Sequence, residues 1–521
     1  MTLVGRAVAS RRLSSVAATR TPTTEISQTT LGQVEPPPRS IYSIKTKGFD
    51  MKNAGAAVRQ VGTTRRFFLL DPYLTTIEIE GLAYRLRVMS KNQGINSVLI
   101  ATDDDDDVEF SAIPSSARES EQLYVPVVDM PELGSNAVKD DRHIWHVAGG
   151  YNPRDLFQSG DYKDPSGIQT LMDGMQNLAL ATRGDVSSTR IPIITLPHGL
   201  VNDGGYALCM GSYMLASPDT CFAILNPSRG LAFDPIGLSY ILPRLGQEFE
   251  QPVAQYPGAG MILALTGMHA NPEDMMETGL ATNYIESVST LGTLERTLGN
   301  LLPWNQQAIL KEPPRNHGAP RPKEDVNAAY RNVGVAGVIN SFTAYQAAGG
   351  EMWGTQEENY MPGEDPSMEL DPIPWQDDRE SDLVNFAATF DDIFRREGTL
   401  GGLLERFREV ASRKTNDKEE QEGIDVAKDI VKRMQSRSPL ALSAVFRLMQ
   451  LGSREGETLE SCMTREKRVQ AKLFVAGDFE AWGNHALKYK QSQEPPFGGW
   501  KHKSVMDVTK DEVDELLSTT D

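Results

Sequence analysis

Residues 222–246 read FAILNPSRGLAFDPIGLSYILPRLG. A strand-like run, Phe222–Leu225, meets a tight turn at Gly230. Asp234 and Gly237 follow, with a helical stretch behind them. Just upstream lies HGLVNDGGYALC, 198–209, where a strand ends, glycines permit a sharp turn and a helix is expected to run through GGYALCMGSYML. Free N–H groups at such a helix start suit an anion or a developing oxyanion. On spacing alone, Gly204 and Gly205 serve equally well to let helix and strand approach closely.

The 521-residue chain is long enough for at least one large core, and its 39% hydrophobic and 24% charged composition is that of a globular protein. No run approaches the roughly 20 apolar residues of a membrane span. A net charge of −19 argues against broad nucleic-acid binding, which demands a basic surface. Cys209, Cys221 and Cys462 show neither metal spacing nor a disulfide framework. The run Asp103–Asp107 reads as a solvated loop. His143-x-x-His146 offers two helix-spaced imidazoles with no obvious third ligand, so no metal site is assigned.

Around this segment the periodicity is α/β. RRFFLLD (65–71) and INSVLIAT (95–102) read as strands, and Ile79, Leu82, Leu86 and Met89 place a helix over 76–92. Ile168, Leu171, Met172, Met175, Leu178 and Ala179 form a second helical stripe, followed by a strand in IPIITLPHG, 191–199. Residues 301–385 are rich in Pro, Gly, Asn and Glu and read as an insertion or extended segment. From 386 to 521 the pattern is helical, with Ser438-Pro439 as a cap and first-turn pair. The core is assigned to 65–300.

The N-terminus differs. Residues 1–24 carry Arg6, Arg11, Arg12 and Arg20 among Ser, Thr and Ala, with no acid before Glu25, which is the composition of a mitochondrial transit peptide. Residues 25–64, with Pro36-Pro37-Pro38, read as an arm or linker.

The order HGLVNDGGYALC, FAILNPSRGLAFDPIGLSYILPRLG and LALTGMHANPEDMMETGLATNYI (263–285) resembles the crotonase, or enoyl-CoA hydratase/isomerase, superfamily. SPLALSAVFRLM, TREKRVQAKLFVAGDFEAWGNHAL and Trp500 make the C-terminal part similar to the 3-hydroxyisobutyryl-CoA hydrolase branch. The resemblance implies a spiral core of ββα units with a helical C-terminal region. It also implies a thioester carbonyl held between two backbone N–H donors, and a glutamate and an aspartate eight residues apart that serve hydrolysis.

Carried onto this chain, the resemblance makes Gly204 and Gly205 one donor turn. It makes Ala112 and Ile113, next to Pro114, the other, with the turn's glycines replaced. Proline lacks an N–H, and isoleucine resists a positive φ. Asp234 matches the aspartate, while Asn226 stands where the glutamate is expected. Ala481–His485 and Tyr489-Lys490 replace an arginine and two acids, and His485 is a weak candidate base. The expectation is a catalytically degenerate protein of the mitochondrial matrix. The resemblance suggests a structural component of the mitochondrial ribosome small subunit, contacting other ribosomal proteins and limited rRNA. The alternative is an active acyl-CoA thioesterase of valine breakdown. Neither reading needs a cofactor, coenzyme A entering only as part of a substrate.

Overall fold

The computed structural model describes residues 56–69, 73–102, 146–183, 191–245, 257–285, 290–303, 334–342, 345–346, 382–489 and 497–518, except positions 93, 149, 198 and 219. The expected turn at Ala112–Ile113 and the aspartate run lie outside the described residues.

Among the described residues ten strands form two sheets. They are β1 (Ala56–Val61), β2 (Thr64–Leu69), β3 (Ser97–Thr102), β4 (His146–Ala148), β5 (Ile193–Leu196), β6 (Leu200–Asn202), β7 (Tyr213–Ala216), β8 (Cys221–Ala223), β9 (Asn283–Tyr284) and β10 (Tyr345–Gln346). One sheet has the order β1-β2-β3-β5-β7-β9-β10 and the other β4-β6-β8. From β3 to β9 successive strands alternate between the sheets, so each turn of the chain lays one strand on each and then returns. That is the ββα spiral that the resemblance implies. The parallel pairs β2–β3, β3–β5, β5–β7 and β7–β9 need such crossovers, because parallel neighbours cannot be joined by a hairpin.

Helix α1 (Thr76–Met89) begins with a reciprocal cap between Thr75 and Glu78 and buries Ile79, Leu82 and Leu86. Helix α2 (Pro165–Arg183) buries the predicted stripe from Ile168 to Ala179. In the C-terminal region, α3 (Lys418–Gln435) buries Ala427, Ile430 and Met434, α4 (Pro439–Gly452) starts on the Ser438 cap with Pro439 in its first turn, and α5 (Leu459–Val475) follows. Phe407, Val445, Leu473 and Phe479 join the same apolar cluster as Phe67 and Ile100, so the helical region and the spiral share one core.

Three local expectations change. The sheet begins at β1, inside the stretch read as an arm, with Ala57 paired to Phe68. The helix expected through GGYALCMGSYML is a 3₁₀ segment, Asp203–Cys209, after which the chain enters β7. A Cβ at Gly211 would fall 2.5 Å from the Ile193 carbonyl oxygen, so a glycine lets the chain pass β5 there. His146 opens strand β4 rather than lying on a helix. Within the 301–385 segment, β10 pairs antiparallel with β9, and Val335 and Ile339 of a helix over 334–342 pack with Leu294 and Leu298.

Candidate active site

Parallel pairing brings the candidate residues together. Asn202 is registered with Ala223, and Ala148 with Val201, so the chain leaves β4, β6 and β8 side by side at their carboxyl ends. Such ends are where open parallel sheets hold their ligands. Tyr151, Asp203 and Gly204, and Asn226 are the residues that emerge there.

Asp203 takes φ +41, the one described non-glycine residue in the left-handed region. Its carboxylate holds that turn in place. Oδ1 accepts from the Leu225 and Asn226 amides at 2.8 and 3.0 Å, and Oδ2 pairs with Arg229 Nη1 at 3.1 Å. The Asp203 carboxylate, beside the expected oxyanion turn, is thus directed toward the segment after β8 and paired with Arg229. Burial still raises the Asp203 carboxyl, with Arg229 opposing.

Gly204 lies directly under Asp234. A Cβ at Gly204 would fall 2.9 Å from Asp234 Oδ2 and 2.5 Å from Met175 Cε, so only glycine fits without displacing a neighbour. Gly205 is buried in the same 3₁₀ turn.

Asp234 is 1% exposed, yet three donors reach its carboxylate. Tyr151 Oη and Gln470 Nε2 each donate to Oδ1 at 3.0 Å, and Asn226 Nδ2 donates to Oδ2 at 3.1 Å. The amide of Asn226 must present its nitrogen here, because its oxygen would face an anion. Burial, then the charge of Asp203, push Asp234 up to about 7 despite these donors. Gln470 fixes the same loop a second time, accepting from the Ala232 amide at 2.8 Å. One turn earlier on α5, Glu466 accepts from the Gly237 and Ser239 amides at 2.7 and 2.6 Å. It thereby closes the start of the short helix Leu238–Ile241, and burial lifts it to about 7.

Of the sequence candidates, Asn226, Asp234 and Gly204 come together around one buried carboxylate. Tyr151, Arg229, Glu466 and Gln470 stand beside them without having been candidates. A signal existed for the last two, since TREKRVQAKLF sets Glu466 and Gln470 four apart beside Val469 and Leu473, polar groups on a buried face. His485 packs between the rings of Tyr489 and Phe497, each centroid 5.0 Å away, and contributes nothing to the Asp234 hydrogen bonds. Among the described residues no group of three or more His, Cys, Asp or Glu is arranged for a metal, and no helix is long and apolar enough to cross a membrane.

A family model described as enoyl-CoA hydratase/isomerase matches residues 181–368 and 368–517, more than half of the chain. The chain is 24% identical over 354 residues to the mitochondrial 3-hydroxyisobutyryl-CoA hydrolase of Rattus norvegicus, a match covering 67% of this chain and 70% of that protein. With the Homo sapiens protein of the same name it shares 24% identity over 331 residues, 63% of this chain and 64% of that one. Among solved structures, a carnitinyl-CoA dehydratase from Mycobacterium thermoresistibile superposes with a TM-score of 0.55 at 15% identity, covering 90% of this chain and 98% of the other. An enoyl-CoA hydratase from Rhodobacter sphaeroides gives 0.50 at 16% identity, covering 89% and 97%. At such identities the structural likeness is one of fold.

Proposed function

The chain belongs to the enoyl-CoA hydratase/isomerase family, and from that premise we propose that it is a catalytically degenerate, 3-hydroxyisobutyryl-CoA hydrolase-like protein retained as a structural component of the mitochondrial ribosome small subunit. The observation that carries the loss of catalysis is the Asn226–Asp234 hydrogen bond. An amide at 226 cannot serve as a general base or a carboxylate nucleophile. One of its amide protons is engaged with the carboxylate that a hydrolase would need free, and Tyr151 and Gln470 donate to the other oxygen of that carboxylate.

The location rests on the basic, acid-free first 24 residues and on the mitochondrial relatives. The ribosomal role rests on the resemblance and on a net charge of −19, which suits protein neighbours better than extensive rRNA contact. The test is sedimentation of the endogenous protein from a gentle mitochondrial lysate. Co-migration with small-subunit rRNA, lost when EDTA and salt dissociate the particle, is the expected result. A peak confined to free protein overturns the ribosomal role.

A second reading has one observation in its favour. Asp234, at about 7, is poised to exchange a proton at neutral pH. Under that reading the chain hydrolyses 3-hydroxyisobutyryl-CoA, and Asp234→Asn abolishes turnover. Under the first, wild type is silent toward this thioester, and Asn226→Glu alone does not restore hydrolysis.

A further inference from the structure

Outside the Asp234 network, basic groups gather where the Gly267 turn meets the end of α3. Arg437 lies two residues beyond that helix and is 6% exposed. Its Nη1 donates to the Ile224 carbonyl at 3.2 Å, and its Nη2 lies so close over Gly267 that a Cβ there would come within 1.9 Å. Arg433, one turn earlier, donates from Nε to Asp429 at 2.5 Å, while its Nη2 is buried with no hydrogen-bond partner. His269, two residues after Gly267, is half-buried. The antiparallel bridge between Phe222 and Ala270 holds this turn against the end of β8.

The charges do not balance. Arg229 is paired with Asp203 and Arg433 with Asp429, but among the described residues no carboxylate lies within ion-pair distance of Arg437. Burial and then Arg433 push the Arg437 guanidinium down to about 9, with the charge of Asp203 opposing from beyond ion-pair distance, and burial, then Arg433 and Arg437, push His269 down to about 4. The carbonyls ending α3 favour a cation within the last turn, which accounts for Arg433. They do not account for a guanidinium beyond the helix with a single carbonyl partner, since a buried unpaired charge is strongly unfavourable.

We propose that Arg437, Arg433 and His269 form a binding site for a phosphate group. The planar forks of two arginines match phosphate oxygens, and the orphan Nη2 of Arg433 gains a partner. A phosphate there also restores the charge balance around Arg437.

The experiment is thermal unfolding of the full chain in inorganic phosphate against sodium chloride at equal ionic strength. A rise in Tm that saturates with phosphate is expected. Arg437→Met removes that rise and leaves Tm in phosphate-free buffer equal to or above wild type, because it deletes an unpaired buried charge. If that variant does not fold, Arg433→Gln, at the more exposed group, weakens phosphate binding at least about tenfold. The same titration with coenzyme A and with a short RNA identifies the source. The ligand bound more tightly than inorganic phosphate, with the gain lost in Arg437→Met, is the one whose phosphate the site takes. A Tm that responds no more to phosphate than to chloride, or responds alike in wild type and both variants, overturns the proposal. The readout is binding and so stands or falls separately from hydrolysis and from ribosome association.

Discussion

Asn226→Asp is the sharpest probe of the buried network, because it changes one atom's chemistry and almost no volume. It replaces the donor 3.1 Å from Asp234 Oδ2 with an oxygen. Two ionised carboxylates at that separation repel by about 5 kcal/mol at an effective dielectric of 20. Protonating one of them at pH 8 against an ordinary carboxylate value costs about the same. At pH 8 the variant therefore loses about 3–5 kcal/mol relative to wild type, after partial relaxation. At pH 5 one proton bridges the pair and replaces the lost hydrogen bond, so the deficit shrinks to about 1 kcal/mol. The sign is fixed by linkage. A carboxyl raised in the folded state favours folding fully below its unfolded value, near 4, and that contribution is lost as pH rises through about 7. Urea unfolding at pH 5, 6, 7 and 8 measures the difference. A deficit at pH 8 no larger than at pH 5 would refute the argument that Asn226 stabilises a buried Asp234 carboxylate.

Two further perturbations test the surroundings of that carboxylate. Gln470→Leu strips Asp234 of one donor and leaves the Ala232 amide unpaired, so a loss of about 2–4 kcal/mol is expected, larger at pH 8 than at pH 5, by the same urea series. Gly204→Ala drives a methyl toward Met175 and Asp234, and a loss of about 1–3 kcal/mol is expected, checked by the urea midpoint at constant slope.

What the sequence made legible followed from local physics. The Ser438-Pro439 start of α4 needs only a cap and a fixed φ, and both are written in two adjacent residues. The buried stripe of α2 needs only the 3.6-residue period. β1 escaped because AAVRQV has little apolar alternation of its own and forms by pairing with β2. GGYALCMGSYML reads as one helix because its glycines and apolar residues do not reveal that β5 already occupies one side of Gly211. The site was half legible for a similar reason. Asn226 and Asp234 are eight residues apart and carry the resemblance, whereas Tyr151 lies 83 residues before Asp234 and Gln470 lies 236 after it. Only the pairing of β4, β6 and β8, and the packing of α5 against α2 and the short helix Leu238–Ile241, brings such distant residues to one carboxylate.

The placement of Glu466 and Gln470 reaches beyond the site. Both side chains leave α5 and end on backbone amides of the 232–239 loop, and Ser438 binds the Pro227 carbonyl through its own amide at 3.0 Å. The seam between the spiral and the helical region is therefore stitched by residues remote from the stretch that connects them in sequence. A change in the length of that connecting stretch leaves these hydrogen bonds in place, whereas a substitution at 466 or 470 removes them directly.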